Sequence, residues 1–413
     1  MAQTTRARGV VLPAVLLGAT ALAGCVASER TARNRPPPPV AAAPAEPAAD
    51  PGGLPAAAAE RIGQGRVKVA LVVPLTGQGA SIGAALRNAA QLAFDEGQQP
   101  DLTILVEDDR GTPAGAAEAT ERGLKAGADL VLGPLFAANV RSASVAARAA
   151  GKPIIAFSTD VGVASRGVYL LSFLPQPEVA RIVEEEIASG RRSFAALIPE
   201  TAYGNAVEAQ FREAVANRGA RIAAVERYPA GAPDAAVKRL AGVITGPRAT
   251  ADVVFIPETS DGLTAVATAL GEAKFSPERV RPVGTAPWNE PSLFALPALQ
   301  GGRFAAPDRS GFSNFSARYQ ARFGAIPPRV ASLAYDAVML SATLARQFGA
   351  QRFAEPTLTN PSGFAGIDGT FRFGAEGTSD RALAVYEIRN NAVSVVSPAP
   401  RVLSKPGLTA APQ

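Results

Sequence analysis

The chain has 413 residues, of which 47% are hydrophobic and 19% charged, enough to build one large core or two smaller ones. It holds one cysteine and no histidine, which excludes an intrachain disulfide, a thiolate metal cluster, imidazole-based zinc sites and the Ser-His-Asp and Cys-His nucleophile pairs. The formal charge is +5; Arg6 and Arg8 precede Cys25 and no acid does, so the segment from Cys25 onward carries 39 − 36 = +3, and no run of Lys and Arg interleaved with aromatics supports a nucleic-acid groove.

Residues 1–24 follow a signal-peptide plan, with Arg6 and Arg8 as the positive start and "VVLPAVLLGATALA" as an apolar core too short to span a bilayer comfortably. The following "LAGC", Leu22 to Cys25, resembles the bacterial lipoprotein lipobox, which implies lipidation at Cys25. Membrane attachment is then expected by the lipid anchor only; the alternatives are an ordinary signal peptide with a chance cysteine, or an uncleaved anchor. Val26, in place of Asp, resembles Gram-negative lipoproteins sorted to the outer membrane and implies a periplasmic location there. Residues 25–65, rich in Ala and Pro and including "RPPPPV", read as a disordered or partly polyproline-like linker.

From Val67, short β-rich runs alternate with Ala-rich helical stretches. "VKVALVVPL", "LTILVEDD", "DLVLGPL" and "PIIAFSTD" read as buried strands, with helices predicted around 80–96, 113–126 and 137–150. A second series begins near Ser193 with "SFAALIPE", "RIAAVERYP", "ADVVFIPE" and "VRPVGTAP". Both series imply parallel strands with right-handed crossovers, hence an α/β chain of two Rossmann-like lobes. An echo, "ALIPETAYGNAV" and "VFIPETSDGLTAV", places Pro and Glu at strand ends and Thr201 and Thr259 at helix N-caps. Ligands in open α/β sheets bind beyond the carboxyl ends of the strands, so two facing sheets would border a cleft. Further on, Leu333, Ala337, Leu340 and Leu344 share one helix face, and the stretch from "GIDGTF" to "VSVV" reads as hairpins turning on Gly and Asn.

"GASIG", Gly79 to Gly83, fits the G-x-S-x-G nucleophile pattern, but without histidine Ser81 lacks its base. "GQGASIG" also misses the dinucleotide fingerprint, its third glycine falling one residue late. What remains is a turn of Gly77, Gly79 and Ser81 that could present backbone N–H groups to an anion, or in which the glycines only permit a tight turn. Catalysis, a metal site and a cofactor are not expected.

The segments "VKVALVVPLTGQGASIGAALRNAAQLAFDE", "LVLGPLFAANVRSASVAARAAGKPIIAFSTD" and "YQARFGAIPPRVASLAYDAVML" together resemble type I periplasmic binding proteins of the leucine-binding class, over roughly Arg66 to Val396. The resemblance implies two parallel-sheet lobes joined by a three-strand hinge: lobe 1 from 66–175 with 303–350, lobe 2 from 176–302 with 351–397, and a flexible tail over 398–413. "GPLFAANV", "VYLLSFLPQPEVARIV" and "PALQGGRFAAPD", with the lipobox and tether, look most like penicillin-binding protein activator lipoproteins, without their additional helical-repeat domain. That implies a non-enzymatic regulator contacting a peptidoglycan synthase. The alternative is a substrate-binding protein of an ABC importer, delivering a branched-chain or related amino acid to its permease.

By the same resemblance the ligand would be held by Ser158, Thr159 and Asp160 of "AFSTD", with Leu135 and Phe136 standing where a serine is expected. Glu258 is placed like the ammonium-binding acid, Tyr203 in a cleft-facing loop, and Trp288 where it could stack on the ligand. The other reading of these residues is helix-capping Thr and Glu and a core Trp.

Overall fold

The computed structural model describes residues 60–98 and 100–403. The leader over 1–24, Cys25, most of the linker and the tail from 404 onward lie outside the described residues. Those described fall within one compact unit.

The first lobe runs β1 (Glu60–Ile62), β2 (Val67–Val73), α1 (Ala80–Gly97), β3 (Leu102–Asp108), α2 (Pro113–Lys125), β4 (Leu130–Leu132), α3 (Ala137–Ala149), β5 (Ile154–Ala156) and β6 (Val168–Leu170). Their sheet has the order β1-β3-β2-β4-β5-β6; only β1 is antiparallel to its neighbour. The strands are continuous apolar runs because helices cover both faces, as in a doubly wound sheet. The order reverses at β2, so the loops after β2 and β4 border the crevice where such sheets take ligands.

The second lobe follows with α4 (Pro175–Ala188), β7 (Ser193–Pro199), α5 (Ala202–Asn217), β8 (Arg221–Tyr228), α6 (Asp234–Ile244), β9 (Val253–Phe255), α7 (Ser260–Glu272), β10 (Arg281–Gly284) and β11 (Arg303–Ala306). The chain then returns to lobe 1 with α8 (Arg309–Phe323), α9 (Ala331–Phe348), α10 (Glu355–Leu358) and the hairpin β12 (Phe371–Phe373) and β13 (Ser379–Arg381). It ends in lobe 2 with β14 (Ala384–Arg389) and β15 (Ala392–Ser397). The lobe-2 sheet is ordered β15-β14-β11-β10-β9-β7-β8, parallel except for the last hairpin. Asn390 and Asn391 make that hairpin's turn with φ of 54° and 60°, the left-handed conformation that Asn tolerates.

The lobes are thus joined by three crossings, at 171–174, 307–308 and 382–383. The helix face Leu333, Ala337, Leu340 and Leu344 lies in the lobe-1 core. Three boundaries differ from the sequence reading: the linker expected over 25–65 ends in β1, which pairs with β3; 303–306, expected in lobe 1, is β11, held between β10 and β14 of the lobe-2 sheet; and 351–383, expected in lobe 2 as part of 351–397, belongs with lobe 1. Phe353, Leu358, Phe371 and Phe373 lie in the lobe-1 core, and the Leu170 N–H donates to the Gly377 carbonyl at 2.7 Å. Only the segment from Ala384 pairs with the second sheet. The apolar alternation of "TFRF" is the same for either lobe, so pattern alone could not assign it.

Candidate functional site

The strand ends of both lobes face the crossings, and there the chain forms a cavity of about 340 Å³. Its wall is largely apolar, from Phe173, Pro175, Pro287 and Pro307. Four polar side chains break that wall: Glu178, Tyr203, Asn289 and Arg329. Such a volume and such a lining, apolar with a few placed polar groups, suit a small molecule.

Glu178 lies in the first turn of α4, just beyond the first crossing. Its Oε2 accepts from the Ala286 N–H at 2.9 Å. Burial pushes its carboxyl up to about 7, against the opposing influence of that hydrogen bond and of Arg329 and Arg381. Asn289 Oδ1 is buried and has no hydrogen-bond partner among the described residues, an unspent acceptor beside the cavity. Arg329 comes from the opposite lobe, just before α9. It pairs with the fully buried Asp368, which also accepts from Ser332 Oγ at 2.6 Å. Its guanidinium lies over the Phe312 ring at 4.9 Å and the Phe173 ring at 5.5 Å.

Of the residues expected from the sequence, Tyr203 lines this cavity. Its hydroxyl shares a 2.6 Å hydrogen bond with Thr285 Oγ1, and burial together with the nearby Glu178 raises its pKa. The others lie elsewhere. Glu258 is turned into lobe 2, where Oε2 accepts from the Tyr228 hydroxyl at 2.6 Å and Oε1 from the Thr259 N–H at 2.8 Å. Thr259 accordingly stands at the N-cap of α7 without capping it, whereas Thr201 Oγ1 accepts from the Gly204 N–H at 3.0 Å. Trp288 does not stack on the cavity: it is 0% exposed, its Nε1–H donates to the Ile256 carbonyl at 3.0 Å, and it packs against Phe304. An apolar ring with one donor is best satisfied there in the core.

Ser158 is buried after β5, and its Oγ accepts from the Asp160 N–H at 3.2 Å. Thr159 and Asp160 are exposed; Asp160 accepts from the Gly162 N–H at 2.9 Å and pairs with Arg141 at 2.9 Å. Leu135 and Phe136 are half-buried, with Leu135 packed on the lobe-1 core. Phe136 covers the turn after β2, where a Cβ on Gly79 would come within 2.8 Å of its ring.

That turn does receive an anion, but from the chain itself. Asp108 Oδ1 accepts from the Leu75 N–H at 2.9 Å and the Thr76 N–H at 3.2 Å, and Oδ2 from Thr76 Oγ1 at 2.6 Å. These bonds, with a further one from the Arg110 N–H to Oδ1 at 2.8 Å, outweigh burial and hold the Asp108 carboxyl below its ordinary range. Gly77 has φ +69°, and a side chain there would meet the Arg110 carbonyl at 2.5 Å. The tight-turn reading therefore accounts for Gly77. Gly79 stands at the N-cap of α1, and Ser81 is exposed on its first turn.

Sequence reasoning missed Glu178, Asn289 and Arg329. For Glu178 a signal exists: it shares a helix face with Ile182 and Val183, both buried, so an acid stands on an apolar stripe. Arg329, after "IPP", and Asn289 carry no comparable mark.

Residues 66–392 match the family model described as periplasmic binding protein. No curated protein matches the sequence. Among solved structures, one from Rhodospirillum rubrum assigned to a branched-chain amino acid ABC transporter is 21% identical, with TM-score 0.69, covering 80% of this chain and 99% of that one. A branched-chain amino acid transporter substrate-binding protein from Streptococcus pneumoniae, in complex with isoleucine, is 20% identical with TM-score 0.54, covering 80% and 99%. A solute-binding protein of an ABC transporter from Rhodopseudomonas palustris, in complex with 3,4-dihydroxybenzoic acid, is 18% identical with TM-score 0.57, covering 83% and 99%. At these identities the likeness is one of fold.

Proposed function

Because the chain belongs to the periplasmic binding protein family, we propose that it is a non-catalytic ligand-binding protein for a small amphipathic carboxylate. Its ligand class is an aliphatic or aromatic amino acid, handed to an ABC permease. The observation that carries this reading is the interlobe cavity. One side offers the guanidinium of Arg329, the other the carboxyl of Glu178 and the unspent Oδ1 of Asn289, and an apolar wall lies between. A ligand with a carboxylate at one end and an ammonium at the other finds a partner for each charge, which burial requires. The fold likeness to branched-chain amino acid binders supports the same class. The ion partners differ from those expected, since Glu258 and Ser158 are occupied by the protein itself.

The test is calorimetric titration of the protein with leucine, isoleucine, valine, phenylalanine and benzoate. Saturable binding of at least one amino acid is expected, weakened roughly 10- to 100-fold in Arg329→Gln, the scale of a charged hydrogen bond. Asn289→Ala, which leaves the Arg329–Asp368 pair intact, should weaken amino acids more than benzoate. Binding of none, or binding indifferent to both substitutions, sinks the reading.

A second reading, a lipid-anchored outer-membrane activator of a peptidoglycan synthase, has one observation in its favour: the loop after β4 offers Leu135 and Phe136, with no hydroxyl for a ligand. The comparisons with solved structures favour the transport reading.

A further inference from the structure

At the pole of lobe 2 opposite the cleft, the start of β10, the approach to β7 and the end of β14 converge on a second cavity, of about 640 Å³. Arg191, Arg281 and Arg389 line it. Behind them Glu186, 0% exposed, faces Arg191 Nη1 at 3.3 Å, Arg281 Nη1 at 3.5 Å and Arg303 Nη1 at 3.5 Å. Glu387 takes Arg303 Nε at 2.9 Å and also pairs with Arg389.

Arg303 has further acceptors in Glu387 and, at 3.9 Å, Glu185, so Glu186 is the carboxylate left to the two lining guanidiniums Arg191 and Arg281. Arg281 Nη1 and Glu186 Oε2 have no hydrogen-bond partner among the described residues, so Arg191 and Arg281 meet Glu186 in Coulombic contact, and the hydrogen bond to its Oε1 comes from Arg303 Nη1 at 3.5 Å. The lining itself carries three guanidiniums, Arg191, Arg281 and Arg389, against a single carboxylate, the exposed Glu278. Burial and the neighbouring guanidiniums Arg303 and Arg191 depress the Arg281 pKa, the expected effect of crowded like charge. Ser276 and Gln300 add neutral hydrogen-bonding groups to the same lining.

We propose that this pocket is a second binding site, separate from the cleft, for a small multiply charged oxyanion of the phosphate class. Planar guanidiniums present paired N–H groups that match phosphate oxygens, and Arg191, Arg281 and Arg389 bring three of them to one lining. The site draws on neither Glu178 nor Arg329, so it stands independently of the cleft's ligand.

The experiment is titration of the protein with inorganic pyrophosphate and with orthophosphate, followed by calorimetry at two salt concentrations. Saturable pyrophosphate binding is expected, tighter than orthophosphate and weaker at high salt. It should fall at least tenfold in Arg191→Gln/Arg389→Gln and be unchanged in Arg329→Gln. Arg389→Gln alone, at a side chain 70% exposed, tests the site without disturbing the core. Absence of saturable binding overturns the proposal, as does equal affinity in the double variant or loss in Arg329→Gln, which would place the anion in the cleft.

Discussion

Glu178 shows how one carboxyl couples stability to acidity. Its folded pKa is raised from 4.5 to about 7, with burial the largest cause. The folded chain therefore holds that proton more tightly than the unfolded chain, and stability falls as pH rises through roughly 4.5 to 7. Asp336, raised to about 7 by burial against the attraction of Arg381, acts in the same direction. Glu178→Gln keeps an acceptor for the Ala286 N–H and cannot ionise. Its melting temperature should exceed that of the wild type by a margin that grows between pH 5 and pH 8; a margin that does not change with pH would contradict the assignment. Residues of this kind were the least legible in the sequence. A Glu in the first turn of a helix reads as a favourable dipole partner, and Trp288 reads equally as a stacking ring or a core ring until its Nε1–H is seen on the Ile256 carbonyl.

At the scale of elements the sequence was far more open. The helices expected around 80–96, 113–126 and 137–150 occur as α1, α2 and α3, and the second run of strands occurs as β7 to β10. Periodicity and turn chemistry act locally, so they survive without tertiary information. Each lobe also contains a close helix-to-strand-end contact that the sequence reading did not include. Gly83 in α1 sits so close to the Pro74 carbonyl that a Cβ would lie 1.8 Å from its oxygen, and Gly204 in α5 stands likewise 1.9 Å from that of Pro199. In an open helix, Gly to Ala gains about 1 kcal/mol. Here both Gly83→Ala and Gly204→Ala should instead cost about 2 kcal/mol through overpacking, read from urea denaturation midpoints at constant slope. A gain at either position would show that helix and strand end are free to separate.

Across the whole molecule, a site built from both lobes at their crossings predicts movement. Arg329 belongs to one lobe, and Glu178 and Asn289 to the other, so a ligand that engages all three draws the lobes together about the crossings. Small-angle scattering should show a smaller radius of gyration on saturation with a binding amino acid, and no change in Arg329→Gln at the same concentration. An unchanged radius in the saturated wild type would mean that the cleft is rigid. The lobe assignment of 351–373 was hidden in the sequence for a reason that belongs to this scale. Which core a hairpin joins depends on contacts made far along the chain, such as Leu170 with Gly377.

The repeated crossing also sets a timetable. Lobe 1 needs Phe371 and Phe373 before its interior is filled, and lobe 2 needs Tyr386 and Ile388. A ribosome emitting this chain therefore releases nearly all of it before either half can close. Assembly must wait on loops hundreds of residues long, which makes for slow folding and leaves unfinished sheet edges exposed in the meantime.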